Sequence, residues 1–91
     1  MRLDKFLKVA RLAKRRTEAK EALDAGRIFD RRGRPLKAGY DVKAGDVLEI
    51  HYARKILTVR VESVPLRVTP GVKPVELYTI LGERKDSEQW L

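Results

Sequence analysis

The chain opens with MRLDKFLKVARLAKRRTEAKEALDAG (residues 1–26), a stretch with two helical patterns joined by a basic segment. At about 100° per residue, the helical step, residues 2–16 divide into an apolar arc and a cationic arc. The apolar arc contains Leu3, Phe6, Leu7, Ala10 and Ala13, and the cationic arc contains Lys5, Lys8, Arg11, Arg15 and Arg16. Val9 and Leu12 fall on the cationic side, so the first helix is predicted to end near residue 9 or 10, before a turn.

A second helix is predicted to begin at Thr17, because a threonine hydroxyl caps helix N-termini well. Glu18 suits the positive end of the helix dipole, and Gly26 suits the left-handed residue just past a helix C-terminus. Arg15 and Arg16 come immediately before this helix, whose first backbone N–H groups are free to bind an anion. The sequence therefore predicts a phosphate-binding position at this helix start.

Beyond residue 26 the apolar pattern alternates, which predicts short antiparallel strands. The expected strands cover residues 27–30, 47–52, 56–61 and 77–81, with a hairpin at 53–55, turns at 31–35 and 43–46, and a loop at 65–74. Ile50, Val59 and Val61 are the predicted core positions of these strands. The fold class is therefore α+β, with two N-terminal helices and a small antiparallel sheet.

The net positive charge of the chain lies entirely in its first 37 residues. Residues 1–37 contain 13 Lys and Arg against 5 Asp and Glu, whereas residues 38–91 contain eight of each. A solvated surface normally mixes both signs, so this asymmetry predicts a polyanionic partner, with nucleic acid as the first candidate. An anionic membrane surface is the alternative, but the apolar arc is too small to anchor in lipid. The predicted nucleic-acid-binding residues are Arg2, Lys5, Lys8, Arg11, Lys14, Arg15, Arg16, Lys20, Arg31, Arg32 and Arg34.

Composition argues against several other classes of protein. The 91 residues are sufficient for one small domain, and the chain has no cysteine and no apolar stretch long enough for a membrane span or a signal peptide. His51 is the only histidine, and no glycine-rich phosphate loop is present. Asp4 lies between two basic residues near a helix start, where dipole compensation and an ion pair account for it. We therefore expect a cytoplasmic, non-enzymatic protein without a metal or other cofactor.

Four segments in order carry a family resemblance: RLDKFL at residues 2–7, KRRTEA at 14–19, GRI at 26–28 and VKAGDVL at 42–48. Together they resemble the S4 RNA-binding domain over roughly residues 1–50. The resemblance implies an α-L motif, in which two helices pack on a small bent antiparallel sheet and RNA binds the helical face. It divides the chain into an S4-like domain at 1–81, with added strands at 56–81, and a polar tail at 82–91.

The opening MRLDKFLKV and the segment YTIL at 78–81 are also similar to the RqcP family of small bacterial ribosome-quality-control factors. This resemblance implies binding to large ribosomal subunits obstructed by peptidyl-tRNA, with contacts to 23S rRNA and to the tRNA. We expect the chain to act as a monomer. It also implies support for C-terminal alanine tailing of stalled chains, together with the tail-elongating factor RqcH. Arg2 and Arg16 match the arginines expected to contact RNA, and the remaining cations are predicted from the helical face and the 31–34 turn.

One segment departs from the family pattern, and other functions stay open. FDRRGR at residues 29–34 replaces the usual Val-Asn-Gly-like turn, so its contacts are expected to differ from those of relatives. The alternatives are an S4-type heat-shock factor that recycles large subunits, the RNA-docking module of an rRNA-modifying enzyme such as a pseudouridine synthase, and a protein adaptor that uses the neutral β half.

Overall fold

Two short helices precede a four-stranded antiparallel sheet in the computed structural model, which describes residues 1–85. The helices are α1 (Leu3–Val9) and α2 (Arg16–Asp24), and the strands are β1 (Ile28–Phe29), β2 (Val47–His51), β3 (Lys55–Val61) and β4 (Tyr78–Lys85). The strand order is β1-β2-β3-β4, and a 3-10 turn over Pro74–Glu76 leads into β4. Within residues 1–85, no helix is both long and apolar enough to cross a membrane. The predicted α+β class and the α-L arrangement are confirmed.

The end of α1 explains why Leu12 breaks the helical pattern. Arg11 adopts a left-handed conformation, with φ of 57°. The Arg11 N–H donates to the Lys8 carbonyl at 3.0 Å, and the Leu12 N–H donates to the Leu7 carbonyl at 2.9 Å, which is the Schellman pattern of a helix C-terminus. The reversal turns Leu12 into the core, where it is buried. The predicted end of the first helix near residue 9 is confirmed.

The second helix starts two residues earlier than the predicted Thr17 N-cap implies. Arg15 is the N-cap residue, with φ of −133° and ψ of 149°, and it makes no side-chain cap hydrogen bond. The prediction of Thr17 as the N-cap is therefore wrong, because contacts of Arg16 with α1 stabilise an earlier start and outweigh the local capping preference. At the other end, Gly26 has a φ of 71° and follows the C-cap as predicted, with the Arg27 N–H bound to the Ala22 carbonyl at 3.0 Å.

The last strand is longer than predicted and contains a bulge. Thr58 pairs with Gly82 and Val59 with Ile80, so Leu81 is an extra residue opposite the boundary between them. The predicted end of this strand at Leu81 is wrong, because pairing with β3 continues to Lys85. Backbone pairing does not depend on side-chain polarity. A prediction from apolar residues alone therefore underestimates the length of a strand that ends in polar residues. The rest of the predicted tail, including Trp90, lies outside the described residues.

The hydrophobic core joins both helices to the inner face of the sheet. Its largest fully buried side chains are Phe6, Leu3, Leu7, Ile28, Leu48, Val59 and Val61. The predicted core positions Ile50, Val59 and Val61 are confirmed. The cationic arc of α1 therefore faces solvent, because the apolar arc of the same helix is used in the core.

Candidate RNA interface

Asp4 of α1 binds two arginines that lie far from each other in the chain. Arg2 Nε lies 3.2 Å from Asp4 Oδ1, and Arg16 Nε of α2 lies 3.4 Å from Asp4 Oδ2. A second nitrogen of each guanidinium, Nη2, lies 3.5 Å from the other carboxylate oxygen. The Asp4 side chain is only 3% exposed, whereas those of Arg2 and Arg16 are 53% and 48% exposed. A buried carboxylate thus fixes two half-exposed guanidiniums side by side.

The carboxylate of this cluster stays ionised. Burial alone would raise the pKa of Asp4, but hydrogen bonds from Arg2, Arg16 and the Lys5 backbone N–H outweigh it and lower the pKa below 3.8. Each guanidinium has five N–H donors and directs two nitrogens at Asp4, so further donors of each stay available to a ligand. The cluster carries one net positive charge, and its planar donor groups match the oxygens of a phosphate.

The segment at residues 38–42 holds the start of α1 in place. The Leu3 N–H donates to the Tyr40 carbonyl at 2.8 Å, and the Val42 N–H donates to the Met1 carbonyl at 3.0 Å. The Met1 ammonium group also lies 3.0 Å from Asp41 Oδ1. Because these contacts flank Arg2 on both sides, its backbone cannot move independently of the domain, and its guanidinium is presented from a fixed point.

All eleven predicted binding residues are exposed, but the structure does not gather them at one point. Only Arg2 and Arg16 meet on Asp4. Lys20 is paired with Asp24 one helical turn away, Nζ to Oδ2 at 3.0 Å, so part of its charge is offset within α2. Lys5 and Lys8 lie on the exposed side of α1, and Arg15 is at the N-cap of α2.

The turn arginines occupy a different part of the surface. Asp30 Oδ1 accepts the backbone N–H groups of Arg32 and Arg34 at 2.8 and 2.9 Å, which shapes the 31–34 turn. Arg31 and Arg32 line a cleft of about 260 Å³ together with Asp30 and Asp46. Two carboxylates therefore accompany two arginines there, which makes this cleft less favourable for phosphate than the Asp4 cluster.

Three cations that the sequence did not predict as binding residues lie near predicted ones in the tertiary structure. Arg27, Arg54 and Lys55 share a second cleft, of about 930 Å³, with Arg11 and Lys14 of the α1–α2 turn. Arg27 precedes β1, and the other two belong to the β2–β3 hairpin. No helical periodicity links them to the cationic arc, so only the pairing of the hairpin with β1 could have indicated their position.

His51 contacts two neighbouring side chains, which is consistent with a structural role. Its Nε2 lies 2.9 Å from Glu49 Oε2, and its ring packs edge-on against Phe29 with centroids 4.9 Å apart. Within residues 1–85, no three His, Asp or Glu side chains are grouped in a way that could hold a metal ion.

Comparisons with known proteins agree with this geometry. The S4 domain model matches residues 1–29, the segment that contains the Asp4 cluster. The RQC P-site tRNA stabilizing factor of Bacillus subtilis is 49% identical over 88 residues, covering 97% of this chain and all of the relative. The factors of the same name from Streptococcus pneumoniae and Helicobacter pylori are 51% and 35% identical and cover 97% and 86% of this chain, and 98% and 92% of their own lengths.

A solved structure agrees at the level of the fold. Heat Shock Protein 15 of Vibrio cholerae, described as trimeric, superposes with a TM-score of 0.75 and 23% sequence identity. The match covers 97% of this chain and 83% of that chain. The family model and the solved structure thus agree on an S4-type fold. The relatives that share high sequence identity over nearly the whole chain are the quality-control factors. The chain belongs to the family of S4-domain RQC P-site tRNA stabilizing factors.

Proposed function

We propose that this protein binds peptidyl-tRNA and 23S rRNA on obstructed large ribosomal subunits in the cytoplasm. The observation that carries the proposal is the Arg2–Asp4–Arg16 cluster, which lies within the S4-matching segment of a chain whose relatives are named P-site tRNA stabilizing factors. Two guanidiniums held by one buried carboxylate form a preorganised site for RNA phosphates. Since the donors are fixed before binding, less side-chain entropy is lost on association.

The surrounding charges support the same function. Arg15 lies at the N-cap of α2, where the first backbone amides and the helix dipole favour an anion. Lys5 and Lys8 extend the positive surface along α1. Such a surface reads the shape and backbone of folded RNA more than its base sequence, as is usual for double-stranded regions. The protein acts by binding, and we further propose that it supports alanine tailing by RqcH by holding the tRNA in place.

The test is co-sedimentation with large ribosomal subunits in sucrose gradients. Charge reversal of Arg2 and Arg16 to Glu should abolish association at moderate salt. The matched control reverses Arg67 and Lys73, two exposed cations of the loop before the 3-10 turn, and should leave association intact. If the Arg2/Arg16 variant sediments with the subunits as the wild type does, these arginines are not the RNA contacts.

The recovered particles distinguish this function from the alternatives. A pull-down with the tagged chain, followed by cryo-EM, should yield large subunits that carry peptidyl-tRNA. Free subunits without tRNA would instead indicate a recycling factor, and copurification with an rRNA-modifying enzyme without ribosomes would indicate a docking module. Binding should also weaken as salt rises, because each neutralised phosphate releases counterions.

A further inference from the structure

The cleft between the α1–α2 turn and the β2–β3 hairpin combines a cationic rim with an apolar floor. Its rim carries five cations and one acid: Arg11, Lys14, Arg27, Arg54 and Lys55, with Glu18. Its volume of about 930 Å³ lies within the range of about 300–1,000 Å³ that is usual for ligand sites. This excess of positive charge around one concave surface favours an anionic ligand.

The floor of this cleft consists of short and buried apolar side chains. Ala13, Ala19 and Ala22 contribute no long side chains, and Leu12 and Ile50 are buried beneath. A floor of this kind leaves room for a flat apolar group such as a nucleobase. Phosphate on the rim and base on the floor are the two halves of an unpaired nucleotide, which a fully paired helix cannot offer because its bases are stacked inside.

The two walls of the cleft are tied together, so it is preformed. The Tyr52 hydroxyl at the hairpin donates to the Leu12 carbonyl of the α1–α2 turn at 2.7 Å. Arg27 Nε donates to the His51 carbonyl at 3.1 Å, and Lys55 Nζ lies 5.3 Å from the centre of the Tyr52 ring. These contacts hold two rim cations against the hairpin. A preformed cleft requires little reorganisation when a ligand enters.

Arg11 supplies an independent indication of function. It is the only residue other than glycine with a positive φ within residues 1–85. Glycine is the residue favoured at this position of a helix C-terminus, as Gly26 is at the end of α2. A strained arginine at the rim of a cationic cleft is therefore best explained by its charge, since strained backbone is concentrated at binding sites.

We propose that this cleft binds an unpaired segment of RNA, with phosphates on the cationic rim and one base on the apolar floor. The inference rests on the proposed function for the choice of RNA as the ligand. The cleft is also continuous in sequence with the other site, since Lys14 directly precedes Arg15 and Arg16. A single RNA can therefore contact both, with paired backbone at the Asp4 cluster and an unpaired nucleotide in the cleft.

The experiment compares two RNA stems that differ by one bulged nucleotide, together with large ribosomal subunits. The hairpin variant carries Arg54→Glu and Lys55→Glu, and the control carries Arg67→Glu and Lys73→Glu, with the same change in net charge. The wild type and the control should prefer the bulged stem, and the hairpin variant should lose this preference. The slope of log affinity against log salt for the bulged stem should fall by about 1.4 in the hairpin variant, at about 0.7 per single-strand phosphate contact.

A second variant removes a rim cation without loss of fold. Arg11→Gly should keep or raise the melting temperature, because glycine relieves the left-handed strain, and should still reduce the preference for the bulged stem. A hairpin variant that behaves as the control does, or that weakens both stems equally, overturns the inference. So does a hairpin variant that binds RNA normally and instead loses an acidic protein partner. If the wild type prefers the bulged stem but does not bind large subunits, the proposed function fails while the cleft assignment stands.

Discussion

Asp4 and Arg16 are twelve residues apart in sequence, yet Arg16 Nε lies 3.4 Å from Asp4 Oδ2 across the contact between α1 and α2. This ion pair has one buried and one half-exposed partner. The Asp4 carboxylate therefore has two effects. It stabilises the packing of α1 against α2, and it positions the Arg16 guanidinium so that part of it faces solvent. Arg2 reaches the same carboxylate from the start of α1.

Replacement of Asp4 by Asn distinguishes the effect of positioning Arg2 and Arg16 from the effect of the net charge of the surface on RNA binding. The variant has one more positive charge, so a purely electrostatic surface should bind RNA more tightly. We expect weaker binding, because the asparagine amide keeps only one acceptor oxygen and presents an NH2 donor in place of the second, so it cannot hold both guanidiniums. The free energy of unfolding should also fall by about 1–3 kcal/mol, because the buried amide NH2 would face two guanidiniums and lack an acceptor. Filter binding and urea denaturation measure the two effects.

Asp41→Asn is the matched control for this variant. It makes the same change in charge at an exposed carboxylate that pairs with the Met1 ammonium group. Its stability should change by at most about 1 kcal/mol, as is usual for surface ion pairs. Equal or tighter RNA binding by Asp4→Asn would show that positioning by the carboxylate is unimportant.

Acid should remove the stabilising contribution of Asp4. Burial opposes its ionisation, but the contacts with Arg2, Arg16 and the Lys5 N–H leave its folded pKa below the ordinary 3.8. The contribution is therefore complete above pH 3.8 and is lost as the pH falls through the lower pKa of the folded state. The difference in unfolding free energy between the wild type and Asp4→Asn should shrink over that interval. A difference that is constant from pH 6 to pH 2 contradicts this.

Arg11 and Gly26 occupy equivalent positions after the two helices and should respond in opposite directions. Arg11→Gly should raise the free energy of unfolding by about 1 kcal/mol relative to Arg11→Ala, which keeps the strained φ. Gly26→Ala should lower it by about the same amount. For a domain of this size, about 1 kcal/mol corresponds to a shift in Tm of about 4–8 °C, which calorimetry resolves. A higher Tm for Arg11→Ala than for Arg11→Gly would show that the left-handed conformation does not determine stability there.

Tyr52 should be needed for the shape of the hairpin cleft. Burial raises the pKa of Tyr52 above 10, so its hydroxyl stays protonated and can donate to the Leu12 carbonyl. Tyr52→Phe should lower stability by about 0.5–1.5 kcal/mol, the usual net value of one hydrogen bond. It should also weaken binding of the bulged stem more than binding of the paired stem. Tyr78→Phe, on β4 and outside the cleft, is the control that should leave this ratio unchanged.

Local sequence patterns were enough to predict the two helices, the class of the fold and the surface that faces solvent. These features are local, because helical periodicity assigns Phe6 to the core and Lys8 to water without knowledge of any partner element. Strand identity followed in the same way, and Ile50 was assigned to the core from alternation alone. Family resemblance also singled out Arg2 and Arg16 before any contact was known.

The contacts that join these residues became known from the three-dimensional structure. The role of Asp4, the early start of α2 at Arg16 and the presence of Arg54 and Arg11 in one cleft depend on contacts between segments that are distant in the chain. The extension of β4 to Lys85 depends in the same way on backbone pairing with β3. Periodicity records which side of an element is buried, but it carries no information about which elements meet. The two proposed binding surfaces depend on such contacts between elements, one made by the buried carboxylate of Asp4 and the other by the hydrogen bond from Tyr52.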